Sequence, residues 1–258
     1  MMSCDKYDDL WDPFFYFFEK HWSDCPYPVY LATNTKVYSR KQSTTINSNY
    51  FGTWSEETKI VLEKLPYEYI IYLQDDYFIL QKVDNLILSN LISKVKDYNA
   101  DYLRLFPSPG PDSDFKGDPD IGLISVNAGY RTSLQAAIWK REVLVSVLNA
   151  AESPWEFETN SPERTKSFLF LSVKQQVKGH IKTHTYPITY YYLTAVLRGK
   201  WRWEIKEICK KEGIALDFNY RKAETYKEFL YQRFYDQCPV FIKRAMDFLK
   251  NKLKIKSA

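Results

Sequence analysis

Two aspartates, Asp75 and Asp76, stand side by side in YIIYLQDDYFIL, residues 69–80, among apolar, β-branched and aromatic neighbours. Such a run reads as a buried strand. Burying an unpaired carboxylate is costly, and two adjacent ones repel. The pair is therefore expected where the strand opens to a cleft and meets positive charge. Successive strand residues face opposite sides, so both acids reach one site only where the strand ends or bends. In open α/β sheets the carboxyl edge is where ligands bind. Carboxylates there suit a hard cation, Mg²⁺ or Mn²⁺, that also holds phosphate oxygens and offsets charge on a departing diphosphate. The competing reading is a pair of surface acids in a turn.

Three further groups have chemistry in reach. Glu156 and Glu158 lie two apart in SPWEFE, beside aromatics. A carboxylate partly desolvated by aromatic neighbours gains basicity and can take a proton from a sugar hydroxyl. A solvated turn with helix-start acids is the plainer alternative. Arg198 and Lys200 flank Gly199 in RGKWR, where the glycine admits close backbone approach and the cations suit phosphate; a basic helix end is the alternative. His180 and His184 in KGHIKTHTYP are metal-ligand candidates, His184 the one retained, although isolated histidines are more often structural.

The elements that must position these groups alternate. Residues 10–22 read as a helix with Pro13 in its first turn, and VYLAT as a short strand. GTWSEETKIVLEKLP reads as a helix capped by Ser55, with Glu56 and Glu57 at its positive end. After the aspartate strand, residues 84–98 form an amphipathic helix with Leu86, Ile87, Leu91, Ile92 and Val95 on one face. ADYLRLFP is a strand, and SPGPDSDFKGDPDIG a long loop. SLQAAIWK is a strand, REVLVSVLNAA a helix, and SPWEFETNSPERT a polar turn region. This β-α-β-α-β order predicts an α/β fold, a sheet covered by helices. Residues 1–238 are expected to form one domain. Residues 239–258 read as a basic amphipathic helix, with Lys243, Arg244, Lys250, Lys252, Lys254 and Lys256 against the single acid Asp247. That helix either lies on an anionic membrane surface or docks on the domain with its basic face solvated.

Composition bounds the rest. The chain has 258 residues, 45% hydrophobic and 26% charged, as in ordinary globular proteins. Aromatics reach 17%, with 21 Tyr and 7 Trp, side chains that suit sugar stacking as well as a core. A net charge of +4 is too weak to argue for nucleic acid. Cys4, Cys25, Cys209 and Cys238 show no CxxC spacing, so free thiols and a reducing compartment are expected. No apolar run is long enough to span a bilayer, and MMSCDKYDD is too polar for a secretory signal. A cytoplasmic protein, peripheral on the inner membrane face through its tail, is the expectation.

With SCDKYDDLWDPFF, GTWSE, YLQDDYFI, SLQAAIWKREVL, SPWEFE and RGKW in this order, residues 3–203 resemble the bacterial GT-A-type glycosyltransferases of capsule and O-antigen gene clusters. The resemblance implies a GT-A-like, Rossmann-like mixed sheet, a nucleotide-sugar donor such as a UDP-sugar, Mn²⁺ or Mg²⁺, and a polysaccharide or lipid-linked glycan acceptor. It places Asp75 and Asp76 at the DxD-type motif, with an amide at Gln74 where a strict motif has an acid. Asp76 is then the safer metal ligand, and Asp75 contacts the donor or a metal-bound water. Ser3, Asp5 and Tyr7 match the segment that cradles the nucleotide base. Glu156 or Glu158 matches the base of an inverting displacement, and the loop at 107–120 would close over donor or acceptor. One departure stands out: the resemblance puts a first strand before Ser3, where this chain has two methionines. Two other classes share the same residues. A sugar-phosphate transferase or nucleotidyltransferase would pass a phosphoryl group, and a non-catalytic glycan-binding protein would use the aromatics and the basic tail alone.

Overall fold

The computed structural model describes residues 1–40, 43–174, 186–190, 194–239 and 242–243. They fall into two compact units, Met1–Thr194 and Ala195–Ala258.

In the first unit a six-stranded sheet has the order β3-β7-β4-β8-β6-β5. Its strands are β3 (Tyr69–Tyr72), β4 (Tyr102–Arg104), β5 (Ser113–Asp114), β6 (Ile121–Leu123), β7 (Ala137–Lys140) and β8 (Phe170–Val173). β7 runs antiparallel to both β3 and β4, and β8 runs parallel to β4. So β3, β4 and β8 point the same way, and the sheet is mixed. β1 (Tyr30–Thr33) and β2 (Thr44–Asn47) form a separate parallel pair. The architecture is the expected α/β class, a central mixed sheet flanked by helices.

Alternation along the strands assigns the two faces. Tyr102, Ala137, Trp139 and Phe170 share one core with Val61 and Leu62 of α2 (Trp54–Glu63), Val143, Leu144 and Val147 of α4 (Arg141–Val147), and Phe157 of α5 (Pro154–Asn160). The opposite face takes α1 (Trp11–Trp22), whose Phe14, Phe15, Phe17 and Phe18 are buried, and α3 (Asn85–Asp97). Phe17 stacks on Phe78 at 5.4 Å, and Trp22 Nε1 donates to Asn85 Oδ1 at 2.8 Å.

Several local expectations change. The α2 cap is Thr53, not Ser55: Thr53 and Glu56 form a reciprocal capping box, while Ser55 lies inside the helix and donates to Glu152 O at 2.9 Å. α3 buries Leu88, Leu91 and Val95, leaving Leu86 and Ile87 exposed, because these two fall outside the stripe that Leu88, Leu91 and Val95 make at helical spacing. The expected loop after β4 carries β5 and β6, which extend the sheet beyond β8. The expected turn region at 153–165 is α5 followed by a short 3₁₀ segment, Ser161–Thr165. Its capping box, Ser153 with Glu156, and Pro154 at the first turn are helix-start signals.

Two buried arginines hold the connection from β4 to β7. Arg104 donates to Tyr102 Oη, Pro109 O, Tyr130 O and Arg131 O. Arg131 donates to Thr165 Oγ1, Ile124 O, Thr165 O and Phe168 O. Six of these eight acceptors are backbone carbonyls, so each guanidinium fork orders main chain rather than pairing with an acid.

In the second unit, β9 (Val196–Leu197) and β10 (Lys200–Trp201) make a hairpin, followed by α6 (Trp203–Lys211) and α7 (Tyr226–Gln237). A buried pair, Arg202 Nη1 to Glu224 Oε1 at 2.8 Å, lies beside fully buried Trp201. The basic tail expected at 239–258 lies almost wholly outside the described residues. No described helix is long and apolar enough to cross a membrane.

Replacing Arg104 with Met removes the fork and strands several buried carbonyls. The expected loss is about 3 kcal/mol of unfolding free energy, read from urea denaturation midpoints at constant m-value.

Candidate active site at the carboxyl edge of the sheet

Tyr72, Ala137, Arg104 and Ser172 form one row across the sheet. Beyond it lies the rim where β3, β4 and β8 end. β3 stops at Tyr72, sooner than the unbroken apolar run suggests, and the chain turns at once: Tyr77 N donates to Gln74 O at 3.2 Å. Asp75 and Asp76 are the two central residues of that turn. Asp and Asn favour such positions because their side chains tolerate tight backbone. The turn answers the problem of opposite faces, since both carboxylates leave the strand at its rim.

The two acids differ. Asp75 is 8% exposed; its Oδ2 accepts from Ser3 Oγ at 2.5 Å, and Ser3 Oγ accepts from Trp11 Nε1 at 2.7 Å. Its backbone N–H donates to Met2 O at 3.2 Å. Asp76 is half-buried and lies within electrostatic reach of Tyr77 and Tyr190, whose hydroxyls are pushed up by burial and by neighbouring charge. Those two rings stack at 4.3 Å. Tyr77 Oη donates to Leu134 O at 2.9 Å, and Tyr190 Oη accepts from Ala136 N at 3.0 Å while donating to Gln135 Oε1. The segment before β7 is thereby clamped onto the aspartate turn.

Glu158 faces the same wall. Phe157, fully buried and edge-on to Trp54 at 5.5 Å, anchors α5 and directs the next side chain inward. Glu158 Oε1 accepts from Leu134 N at 2.7 Å. Burial raises its carboxyl above the ordinary range, against lowering by the Leu134 N–H, the Ser133 hydroxyl and Arg104. Tyr77 Oη and Glu158 Oε1 meet on Leu134, the first at its carbonyl and the second at its N–H, which brings Glu158 to the aspartate turn. Glu156, by contrast, points outward. Its Oε2 accepts from the Ser153 backbone at 2.8 Å and hydroxyl at 2.7 Å, and these bonds lower its pKa. It works as the helix cap.

Asp5 holds backbone. It accepts from Asn34 N at 3.0 Å, from Thr35 N and Oγ1, and from Lys36 N. Burial alone would raise its pKa, but these bonds outweigh it and hold it low. Asn34 in turn donates to Glu57 Oε1 at 2.7 Å. Cys4 sits among Asp75, Glu57 and Asp5, its thiol pushed up first by burial and then by those charges. Ser3, Asp5 and Asp75 are therefore brought to one neighbourhood. Tyr7, half-buried in the 3₁₀ segment Asp5–Leu10, lies next to it in the chain.

Arg198, Gly199 and Lys200 belong to the second unit. Arg198 and Gly199 form the tip of the β9–β10 hairpin, with φ of 51° and 76°. The glycine serves a turn that needs positive φ. Lys200 Nζ pairs with Glu228 at 2.6 Å, which pulls the Glu228 carboxyl down to about 2. His180 and His184 lie outside the described residues. No cluster of three or more His, Cys, Asp or Glu able to hold a metal occurs among the described residues. The protein ligands available at the rim are Asp76 and Asp75, hard oxygens that fit a cation completing its shell with phosphate and water. The sequence reading missed Tyr77, Gln135 and Tyr190; the YF after the aspartates and the Gln in SLQAA carry no distinctive spacing.

No protein-family model matches the chain, and no curated protein matches it. Among solved structures it is similar to S. aureus TarS, with a TM-score of 0.41 and 12% identity over 68% of this chain and 34% of that one. A structure of TarS 1–349 gives a TM-score of 0.42 and 11% identity, covering 68% of this chain and 57% of that one. The overlap thus spans less than two thirds of either TarS chain. Likeness at this level does not identify an activity.

Because the Glu158 pKa is raised on folding, its protonated form favours the folded state. That contribution is full below the ordinary glutamate value of 4.5 and is lost as pH rises through the folded value. Relative to Glu158→Gln, the native chain is expected to lose unfolding free energy as pH climbs from 4.5 toward neutrality, read from paired denaturation curves.

Proposed function

We propose that this chain is a glycosyltransferase that moves a sugar from a nucleotide-sugar donor to a glycan hydroxyl. The observation that carries the reading is the turn at Gln74–Tyr77. It sets two carboxylates at the carboxyl edge of a mixed sheet, with Ser3 bonded to one and Glu158 linked to the turn through Leu134 and Tyr77. The sequence resemblance to GT-A-type enzymes supports it independently.

In this reading Asp76 and Asp75 would hold Mn²⁺ or Mg²⁺, which would supply charge compensation for a departing nucleoside diphosphate. Asp75, fixed by Ser3, orients the donor. Glu158 takes the proton from the acceptor hydroxyl as its oxygen attacks the anomeric carbon and the bond to diphosphate breaks, inverting that centre. Its raised pKa matches the task, since a stronger base removes the proton more readily near neutral pH. The stacked Tyr77 and Tyr190 fix both carboxylates relative to one another, so positioning supplies much of the rate. The donor is a UDP-sugar, and the acceptor is a surface polysaccharide or lipid-linked glycan. The basic tail would keep the enzyme at the cytoplasmic membrane face.

Titration calorimetry with UDP tests this directly: Mn²⁺ should tighten binding in the native chain and fail to do so in Asp76→Asn. Equal affinity with and without metal would reject the site. Product analysis with a panel of nucleotide sugars should yield nucleoside diphosphate and a new glycoside. Nucleoside monophosphate with a phosphodiester product would mean phosphoryl transfer instead. Glu158→Gln should lower kcat by about 10²–10⁴-fold, whereas Glu156→Gln should leave it within a few-fold.

A further inference from the structure

Gln135 has one half of its amide engaged and the other half open. It lies two residues before Ala137, which pairs with Tyr72 at the end of β3 and with Arg104 at the end of β4. β7 runs between those two strands, so Gln135 stands at the rim, between their carboxyl ends. Of residues 131–139 it alone is not buried. Tyr190 Oη accepts the Ala136 N–H at 3.0 Å, which leaves its single proton to donate, and the acceptor it meets is Gln135 Oε1. The amide is thereby fixed with its oxygen toward Tyr190. Its Nε2, with two N–H donors, makes no hydrogen bond among the described residues.

We propose that Gln135 Nε2 donates to a hydroxyl oxygen of the transferred sugar, which makes Gln135 a specificity-determining residue for the donor; this rests on the glycosyltransferase reading above. In such a displacement the anomeric carbon lies between the departing diphosphate and the attacking hydroxyl. The sugar ring must then sit between the aspartate turn and Glu158, and Gln135 is tied to both. Its amide partner Tyr190 stacks at 4.3 Å on Tyr77, the residue after Asp76. Its chain neighbour Leu134 gives its N–H to Glu158 at 2.7 Å. Charge selects the ligand atom. A phosphate is best met by a cation, through charge-assisted bonds. A neutral amide with only donors left to offer matches a neutral acceptor oxygen, as on a sugar hydroxyl.

The arrangement also sets the direction of selectivity. Gln135 is half-buried already, and a sugar nucleotide seated over it removes the water that its Nε2 meets. A sugar with an oxygen at that position restores the lost bond. A deoxy sugar leaves the donor unpaired, and the amide cannot turn its oxygen outward without breaking the bond from Tyr190.

Titration calorimetry with Mn²⁺ present tests this on the native chain and on Gln135→Met, which keeps the length of the side chain and removes the amide. The probes are UDP, the best-bound of UDP-glucose, UDP-galactose and UDP-N-acetylglucosamine, and analogues of that sugar nucleotide lacking one hydroxyl each. Gln135→Met should bind UDP within about two-fold of the native chain and the sugar nucleotide about 10-fold more weakly. One deoxy analogue should bind the native chain about 10-fold more weakly than its parent, and that difference should vanish in Gln135→Met, the mark of a direct contact. Equal weakening of UDP and sugar nucleotide in Gln135→Met, or a deoxy penalty as large there as in the native chain, would overturn the assignment. The deoxy series on the native chain holds even where the substitution perturbs folding: equal affinity for the parent and every analogue overturns it too. Absence of metal-dependent UDP binding in the native chain would instead reject the glycosyltransferase site, and this assignment with it.

Discussion

The structure depends on a short stretch of backbone: Met1 and Met2, hydrogen-bonded to β1 on one side and to the end of β3 on the other. Four bonds there set the β1–β2 pair beside the main sheet. They deliver Ser3 to Asp75 and bring Asp5 to the loop after β1. Backbone pairing of this kind is directional and leaves little slack, so the aspartate turn inherits its position from main chain rather than from flexible side chains. Without that link, Asp75 would lose both its backbone and its side-chain partner to the first segment.

The rim combines opposed electrostatic tendencies. Ser3 stabilises the charge on Asp75, Glu158 is biased toward its neutral form by burial, and Asp76 stands beside two aromatic hydroxyls kept protonated. Carboxylates sharing a site repel one another, and differing environments make them easier to hold together. The clamp of Tyr77, Tyr190 and Gln135 onto residues 134–136 keeps that separation fixed. Burial of Arg104 one row beneath adds a positive charge that lowers the cost of holding Glu158 there.

How much was legible beforehand followed the range of the interactions. The α/β class came from alternation of apolar periods, and the aspartate pair stood out because carboxylates do not belong inside a buried strand. That β3 would stop at Tyr72 was harder to see, since Tyr77, Phe78 and Ile79 are as apolar as the strand itself; they are buried by α1 and by Tyr190, to which Ile79 makes a single antiparallel bridge, and they take no place in the six-stranded sheet. The α5 helix was hidden by polar composition, although Ser153, Pro154 and Glu156 spell a helix start. That same spelling explains why Glu156 and Glu158 part company: one residue satisfies the cap, and the other, next to the Phe157 anchor, is carried inward. Contacts such as Tyr190 with Gln135 join segments 55 residues apart and leave no local trace.

The two arginines under the rim have a consequence of their own. They grip carbonyls at Pro109, Ile124, Tyr130 and Arg131 and so recognise the path of the chain, not the identity of its side groups. A surface excursion moored in this fashion is free to vary its outward residues, Val126 and Tyr130 among them, while its roots stay put. Selectivity for what approaches that side can thus drift or be exchanged without the sheet being rebuilt beneath it.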